Sequence, residues 1–223
     1  MSSAVQFPLV IGWIAMLAGG IAFWRMSKGL PENQKHHGIA AMTIVFVAFA
    51  NYLAMALGQG DLIHNGRDVF FARYIDWVIT TPILLVSLAM VASKTLAPIR
   101  TLVCALIAAD VYMIVTGLVG NLSESPYNYL WWLVSMVSFL VVLALIWGPL
   151  QKVAGQGAYR SEFSTLSLML TVLWCCYPIV WLLGTSGAGL FSAAVESWFY
   201  LILDVTAKVG FGFVALNAVR KRS

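Results

Sequence analysis

The sequence predicts an all-α membrane protein of seven transmembrane helices, with the N-terminus outside, the C-terminus cytoplasmic and a short extracellular β-hairpin between helices two and three. Three observations carry this prediction. Hydrophobic residues make up 61% of the 223-residue chain and charged residues only 10%, where a soluble domain carries roughly 25% charged. Seven apolar stretches approach the ~20 residues that a bilayer-crossing helix needs. Basic residues gather in alternate gaps between those stretches. The same composition excludes a soluble domain, a disordered chain and a nucleic-acid binder, which needs a dense basic face rather than a net charge of +4. The length leaves no room for a second domain, so residues 1–223 are read as one membrane domain.

The first stretch, 7–26, has no basic segment before it and no cleavage site after it, so it reads as a span and not a signal peptide. The turn residues Gly29 to Pro31 separate it from the second, 38–58. Gly58 to Gly66 follow, and Asn65-Gly66 predicts a hairpin, because both residues tolerate the positive φ of a tight two-residue turn. The third stretch, 70–92, is followed by Pro98 and then the fourth, 98–118. Ser123 to Pro126 lead into 127–150, Gly155 to Gly157 into 162–184, and Gly184 to Gly189 into 192–219.

Orientation follows from the basic residues. Arg25, Lys28, Lys35, Lys94, Arg100, Lys152, Arg160, Arg220, Lys221 and Arg222 fall on one side, and Arg67 alone on the other. The positive-inside rule makes the first side cytoplasmic. Cys104, Cys175 and Cys176 lie in apolar stretches and are odd in number, so they read as small buried residues and not as a disulfide framework. No inverted repeat or pair of Gly/Pro-broken helices of the transporter kind is evident.

Charge inside the spans is the informative feature. An ionised side chain at mid-bilayer costs about 3 kcal/mol on insertion scales. Lys208 nevertheless sits near the middle of span seven, with Asp204 one turn earlier on the same face. Arg73 and Asp76 share a face of span three, Asp110 lies within span four, and Glu196 lies near the outer end of span seven. Lys208, Arg73, Asp76 and Asp204 sum to zero, as a dry interior demands, so the four are expected to cluster. Asp110 has no evident cation and is expected to be protonated and hydrogen-bonded. A buried lysine amine can condense with an aldehyde, and a nearby carboxylate then holds the resulting positive charge. Aromatic residues point to a flat ligand beside it: Trp77 adjoins Asp76, Trp131 and Trp132 lie in span five, and Trp174, Tyr177, Pro178 and Trp181 share one face of span six. Interfacial belt residues belong at span ends, and Trp174 and Tyr177 are well inside.

These residues carry a resemblance. Arg73-Tyr74-Ile75-Asp76-Trp77-Val78-Ile79-Thr80-Thr81-Pro82 resembles the third helix of microbial rhodopsins, and Leu203-Asp204-Val205-Thr206-Ala207-Lys208-Val209-Gly210-Phe211-Gly212 their seventh. Trp174-Cys175-Cys176-Tyr177-Pro178-Ile179-Val180-Trp181 resembles the sixth, and Thr116-Gly117-Leu118-Val119-Gly120 and Trp131-Trp132 the fourth and fifth. The resemblance spans essentially the whole chain and points to bacteriorhodopsin-like proton pumps. It implies all-trans retinal held by Lys208 as a protonated Schiff base. Asp76 would be counterion and proton acceptor, Asp204 the second counterion, and Arg73 a mobile cation outside them. Glu196 would take part in proton release, although the partner acid's position is Ser186. Trp77, Thr81, Met113, Gly117, Trp132, Ser135, Trp174, Tyr177, Pro178 and Trp181 would line the retinal pocket. Tyr52 would lie near Arg73, and Asp110 would be the buried acid of helix four.

The third-helix triplet reads Asp76, Thr80, Ser87, on one helix face. An acid at the last position returns a proton to the Schiff base in bacteriorhodopsin-like pumps, and here it is Ser87, a hydroxyl that stores no proton near neutral pH. Ala41 stands at the position of the helix-two threonine that supports that donor. Leu84, at the family's tuning position, leans towards green absorption. Asp76 argues against a chloride pump, the triplet against a sodium pump, and Asp204 against an inward proton pump. The reading is therefore a light-driven outward proton pump and not an enzyme, with protons as cargo, the lipid bilayer as surroundings, no nucleic-acid partner and a homo-oligomeric assembly. The alternative is a photosensory rhodopsin that signals through a partner membrane protein, which Ser87 alone leaves open. Ala207, just before the lysine, is not the threonine that haloarchaeal phototaxis receptors of the second kind use there.

Overall fold

A computed structural model describes residues 1–93, 95–157 and 159–221. Lys94 and Arg222, two of the basic residues that set the expected orientation, lie outside them. Among the described residues seven helices are long and apolar enough to cross a membrane. They are α1 (Ser3–Ser27), α2 (Lys35–Ala56), α3 (Phe71–Ala92), α4 (Arg100–Asn121), α5 (Tyr127–Ala154), α6 (Arg160–Leu183) and α7 (Ala193–Arg220). A helix satisfies its own backbone hydrogen bonds, which hydrocarbon cannot do for it. The protein is thus a multi-pass membrane protein. α4 runs to Asn121 and α1 begins at Ser3, both beyond the expected ends, because the apolar stretches stop before the polar turn that completes each helix.

Between α2 and α3 the chain forms the expected hairpin, β1 (Leu62–His64) against β2 (Arg67–Val69), with His64 opposite Arg67. Asn65 (φ 50°) and Gly66 (φ 75°) make the turn, which requires positive φ at both positions. Polar contacts seat the hairpin on the end of the bundle. Arg67 donates from Nη1 to Asn121 Oδ1 at 2.5 Å and from Nη2 to the Asn121 carbonyl, and Asn65 Nδ2 reaches Glu124 Oε1 at 3.2 Å.

The most enclosed spans are α3 and α7, and these carry Arg73, Asp76, Asp204 and Lys208. The other helices turn Phe46, Val137, Leu140 and Leu168 outward, where lipid tails accept them as readily as a core would. One correction concerns the cysteines: Cys104 is exposed and Cys175 and Cys176 are only partly buried. In a bilayer the exterior is itself apolar, so a small thiol gains nothing by facing inward. All three are free.

Two helices contain a π-helical turn, Ile146–Leu150 in α5 and Thr206–Gly210 in α7. Such bulges gather at functional sites, and Lys208 is the central residue of the second. Close packing fixes α1 against α2: a Cβ on Gly12 would lie 2.1 Å from Tyr52 Cδ1, so only glycine fits beneath that ring.

Candidate functional site

Lys208 donates from Nζ to Asp76 Oδ2 at 2.5 Å and to Asp204 Oδ1 at 2.9 Å. All three side chains are at most 2% exposed. Removing one member of a buried pair costs about 3–5 kcal/mol because the other charge is stranded. The two carboxylates differ in their surroundings. Asp204 is filled with donors: Tyr52 hydroxyl to Oδ2 at 2.7 Å, Tyr177 hydroxyl to Oδ1 at 2.8 Å and Trp77 Nε1 to Oδ1 at 3.1 Å. Asp76 keeps Oδ1 without a partner among the described residues. Thr80, one turn along α3, bonds the Asp76 carbonyl at 2.8 Å.

The expected four-charge cluster is corrected to a triad. Arg73 pairs with neither carboxylate. Its guanidinium lies 4.4 Å over the Tyr200 ring and 5.3 Å from that of Phe70, and Nε and Nη2 have no hydrogen-bond partner among the described residues. Helical side chains lean towards their N-terminus, so Arg73, one turn before Asp76, reaches away from it towards the hairpin end. Tyr52 also donates its hydroxyl to Asp204.

Lys208 and Asp204 line an apolar cavity between the helices. α3 contributes Tyr74, Trp77, Thr81 and Leu84, and α4 contributes Met113, Ile114 and Gly117. α5 contributes Trp132, Ser135, Met136 and Phe139, α6 contributes Trp174, Tyr177, Pro178 and Trp181, and α7 contributes Tyr200 and Ala207. All ten pocket residues expected from the sequence therefore line it. Trp131 does not, since adjacent helical residues point about 100° apart; its Cβ faces Gly120 instead. Trp132 Nε1 donates to the Pro178 carbonyl at 3.2 Å, Ser135 to the Met113 carbonyl at 2.8 Å, and Trp181 Nε1 to the Tyr74 hydroxyl at 3.0 Å. These bonds hold the walls at fixed spacing. Asp110 is fully buried and takes a hydrogen bond from Thr81 Oγ1 at 2.7 Å.

A second, smaller and more polar pocket lies on the hairpin side, lined among others by Asp68, Arg73, Asn121, Ser186, Glu196 and Tyr200. Glu196 Oε2 accepts from the Thr185 amide and hydroxyl, both at 2.9 Å. Ser186 donates to Asn121 Oδ1 at 2.6 Å. On the opposite side of Lys208, Ser87 and Ala41 are buried. No acid occurs in α3 after Asp76.

The sequence reading missed Tyr200 and the polar group around Arg67. Tyr200 had a signal, lying four residues before Asp204 and eight before Lys208 on their helix face. Arg67 stood out only as the lone basic residue on its side.

A lysine–carboxylate triad beside an aromatic-walled cavity, inside seven membrane-spanning helices, defines the microbial rhodopsin class. The chain belongs to the bacteriorhodopsin-like protein family, whose family model matches residues 3–222. It is 41% identical over 219 residues to archaerhodopsin-2 of Halobacterium sp. (strain aus-2), covering 94% of this chain and 83% of that protein. Bacteriorhodopsin of Halobacterium salinarum is 36% identical over 219 residues, with 94% and 82% covered. Among solved structures, cyanorhodopsin from the cyanobacterium Calothrix sp. NIES-2098 superposes with a TM-score of 0.92 at 41% identity, covering 98% of this chain and 96% of that one. The light-driven proton pump rhodopsin of Coccomyxa subellipsoidea gives 0.89 at 32% identity, with 97% of each chain covered.

Proposed function

We propose that this protein is a light-driven outward proton pump that binds all-trans retinal on Lys208. The observation that carries the reading is the direct contact of Lys208 Nζ, in the lining of the apolar cavity, with Asp76 Oδ2. The cavity fits the group: it is apolar, aromatic on several walls, and a buried primary amine lies in its lining. Trp77, Trp132, Trp174, Tyr177 and Trp181 would flank the polyene, and Met113, Gly117, Ser135 and Pro178 would complete its surroundings. Retinal would supply absorption of visible light and a light-triggered change in the proton affinity of the lysine nitrogen.

The remaining work falls to the chain's own side chains. Asp76 receives the proton at Oδ2, which lies 2.5 Å from Nζ. Asp204 stays as the fixed anion, because three donors besides Lys208 already saturate it. Arg73 and the pocket holding Glu196 lie beyond Asp76 towards the hairpin, and the distribution of basic residues in the sequence supports the hairpin lying outside. That order of groups supports an outward path. The archaerhodopsin relative of this chain and the light-driven proton pump it superposes on support proton pumping at the level of the family.

The test is external pH in cells that express the protein and are supplied with retinal. Illumination should acidify the medium, and a protonophore should abolish the change. No change under bright light would overturn the pump in favour of a photosensor, and protonophore-sensitive alkalinisation would overturn the direction.

A further inference from the structure

Tyr200 lines both the apolar cavity and the pocket on the hairpin side, so its ring stands between them. On the hairpin side the Arg73 guanidinium lies 4.4 Å from the ring centroid, inside the ~6 Å at which a ring face holds a cation. Both side chains are buried, Arg73 at 5% exposure and Tyr200 at 2%. On the cavity side the same ring packs on Trp77 at 5.3 Å and on Tyr177 at 6.0 Å, and both of these donate to Asp204. Among the described residues Arg73 makes no ion pair, and its Nε and Nη2 make no hydrogen bond.

Lys208 offsets only one of the two carboxylates it touches, so the triad keeps one negative charge and draws Arg73 inward. Glu196 and Asp68, in the lining of the hairpin-side pocket, draw it the other way, yet neither pairs with it. Such attractions are strong in a low-dielectric interior, and what restrains the guanidinium between them is aromatic. We infer that Tyr200 is a positioning residue for the pump, a ring platform that parks Arg73 on the hairpin side and keeps it off Asp76 and Asp204. The inference rests on the reading of Lys208 as the retinal site. Parked there, Arg73 leaves the negative charge of the triad to Lys208 and stands as a cation on the exit side of Asp76. Tyr200, Asp204 and Lys208 recur every four residues along α7, so platform, fixed anion and attachment site share one face.

The test reads the visible band of the retinal-loaded protein in alkaline medium, where Asp76 and Asp204 stay charged. Light draws positive charge away from the lysine nitrogen along the polyene. A cation arriving at the two carboxylates eases that displacement and moves the band to longer wavelength. Tyr200→Met keeps apolar bulk but removes the ring face, and should shift the band to the red. Tyr200→Phe keeps the face and should keep the wild-type band. Because Tyr200 also lines the retinal cavity, each variant is repeated in an Arg73→Gln background. The red shift of Tyr200→Met should be lost there, whereas a shift caused by the altered cavity wall would persist. A second measurement uses the wild type alone: nuclear magnetic resonance in the dark should find the Arg73 guanidinium protons moved upfield by the ring current of Tyr200. An unshifted band in Tyr200→Met, a shift that survives Arg73→Gln, or guanidinium protons at their ordinary position would overturn the inference while leaving the retinal site standing. So would a red shift in Glu196→Gln without one in Tyr200→Met, which would give the holding role to the carboxylate. A wild type that forms no visible band with retinal would refute the retinal site and take the inference with it.

Discussion

Gly12→Ala tests how tightly the fold controls the charge triad. The new Cβ would lie 2.1 Å from Tyr52 Cδ1 and 2.4 Å from Cε1. Tyr52 is 1% exposed and belongs to a buried cluster with Leu9, Met16, Ala48 and Met55, so its ring has nowhere to go within the bundle. Relief must come from sliding the ring along its plane or parting α1 from α2, and either motion disturbs the 2.7 Å bond to Asp204. Overpacking of this kind costs about 1–3 kcal/mol, and loss of a hydrogen bond to a charged group about 1.5–3 kcal/mol. The two overlap, so a destabilisation of roughly 3 kcal/mol is expected, read as the loss of the visible band during unfolding in mixed micelles. Tyr52→Phe removes the hydroxyl and keeps the ring. If the clash acts through the Asp204 bond, Gly12→Ala will cost less in the Tyr52→Phe background than in the wild type. A Gly12→Ala protein with wild-type stability and an unshifted band would refute the reasoning.

Other consequences follow from the same geometry. Lys208→Ala should give a folded but colourless protein after addition of retinal, and a wild-type visible band in that variant would refute the attachment site. Because α3 carries no acid beyond Asp76, return of the proton to Lys208 depends on the bulk. The slow phase of the photocycle should therefore lengthen as pH rises and shorten with a small diffusible acid such as azide. Ser87→Asp, about 16 Å along the helix from Asp76 at 1.5 Å per residue, should weaken that pH dependence. A fast, pH-independent recovery in the wild type would count against a missing donor.

Span number, hairpin and charged faces were legible because each depends on local pattern: apolar length, an Asn-Gly turn, and spacing along one helix. Lys208 and Asp204 lie on one helix, so their pairing needed no tertiary information. The approach of Asp76 from α3 rested on charge balance and on resemblance. What the sequence concealed depends on side-chain direction. Arg73 shares a face with Asp76, yet its length and its tilt carry the guanidinium to the Tyr200 ring. The π-helical turn at Thr206–Gly210 has no propensity signature, and it sets the position of Lys208. The contacts of Arg67 join three segments far apart in the chain, the hairpin, the end of α4 and the turn before α7, and no one of them announces the others.

The central claim is that the proton leaving Lys208 arrives on Asp76. Flash-induced infrared difference spectroscopy observes that arrival directly, as the carbonyl stretch of a newly protonated carboxylic acid. The band should appear in the wild type, persist in Glu196→Gln and vanish in Asp76→Asn. Its persistence in Asp76→Asn would contradict the account and place the acceptor elsewhere.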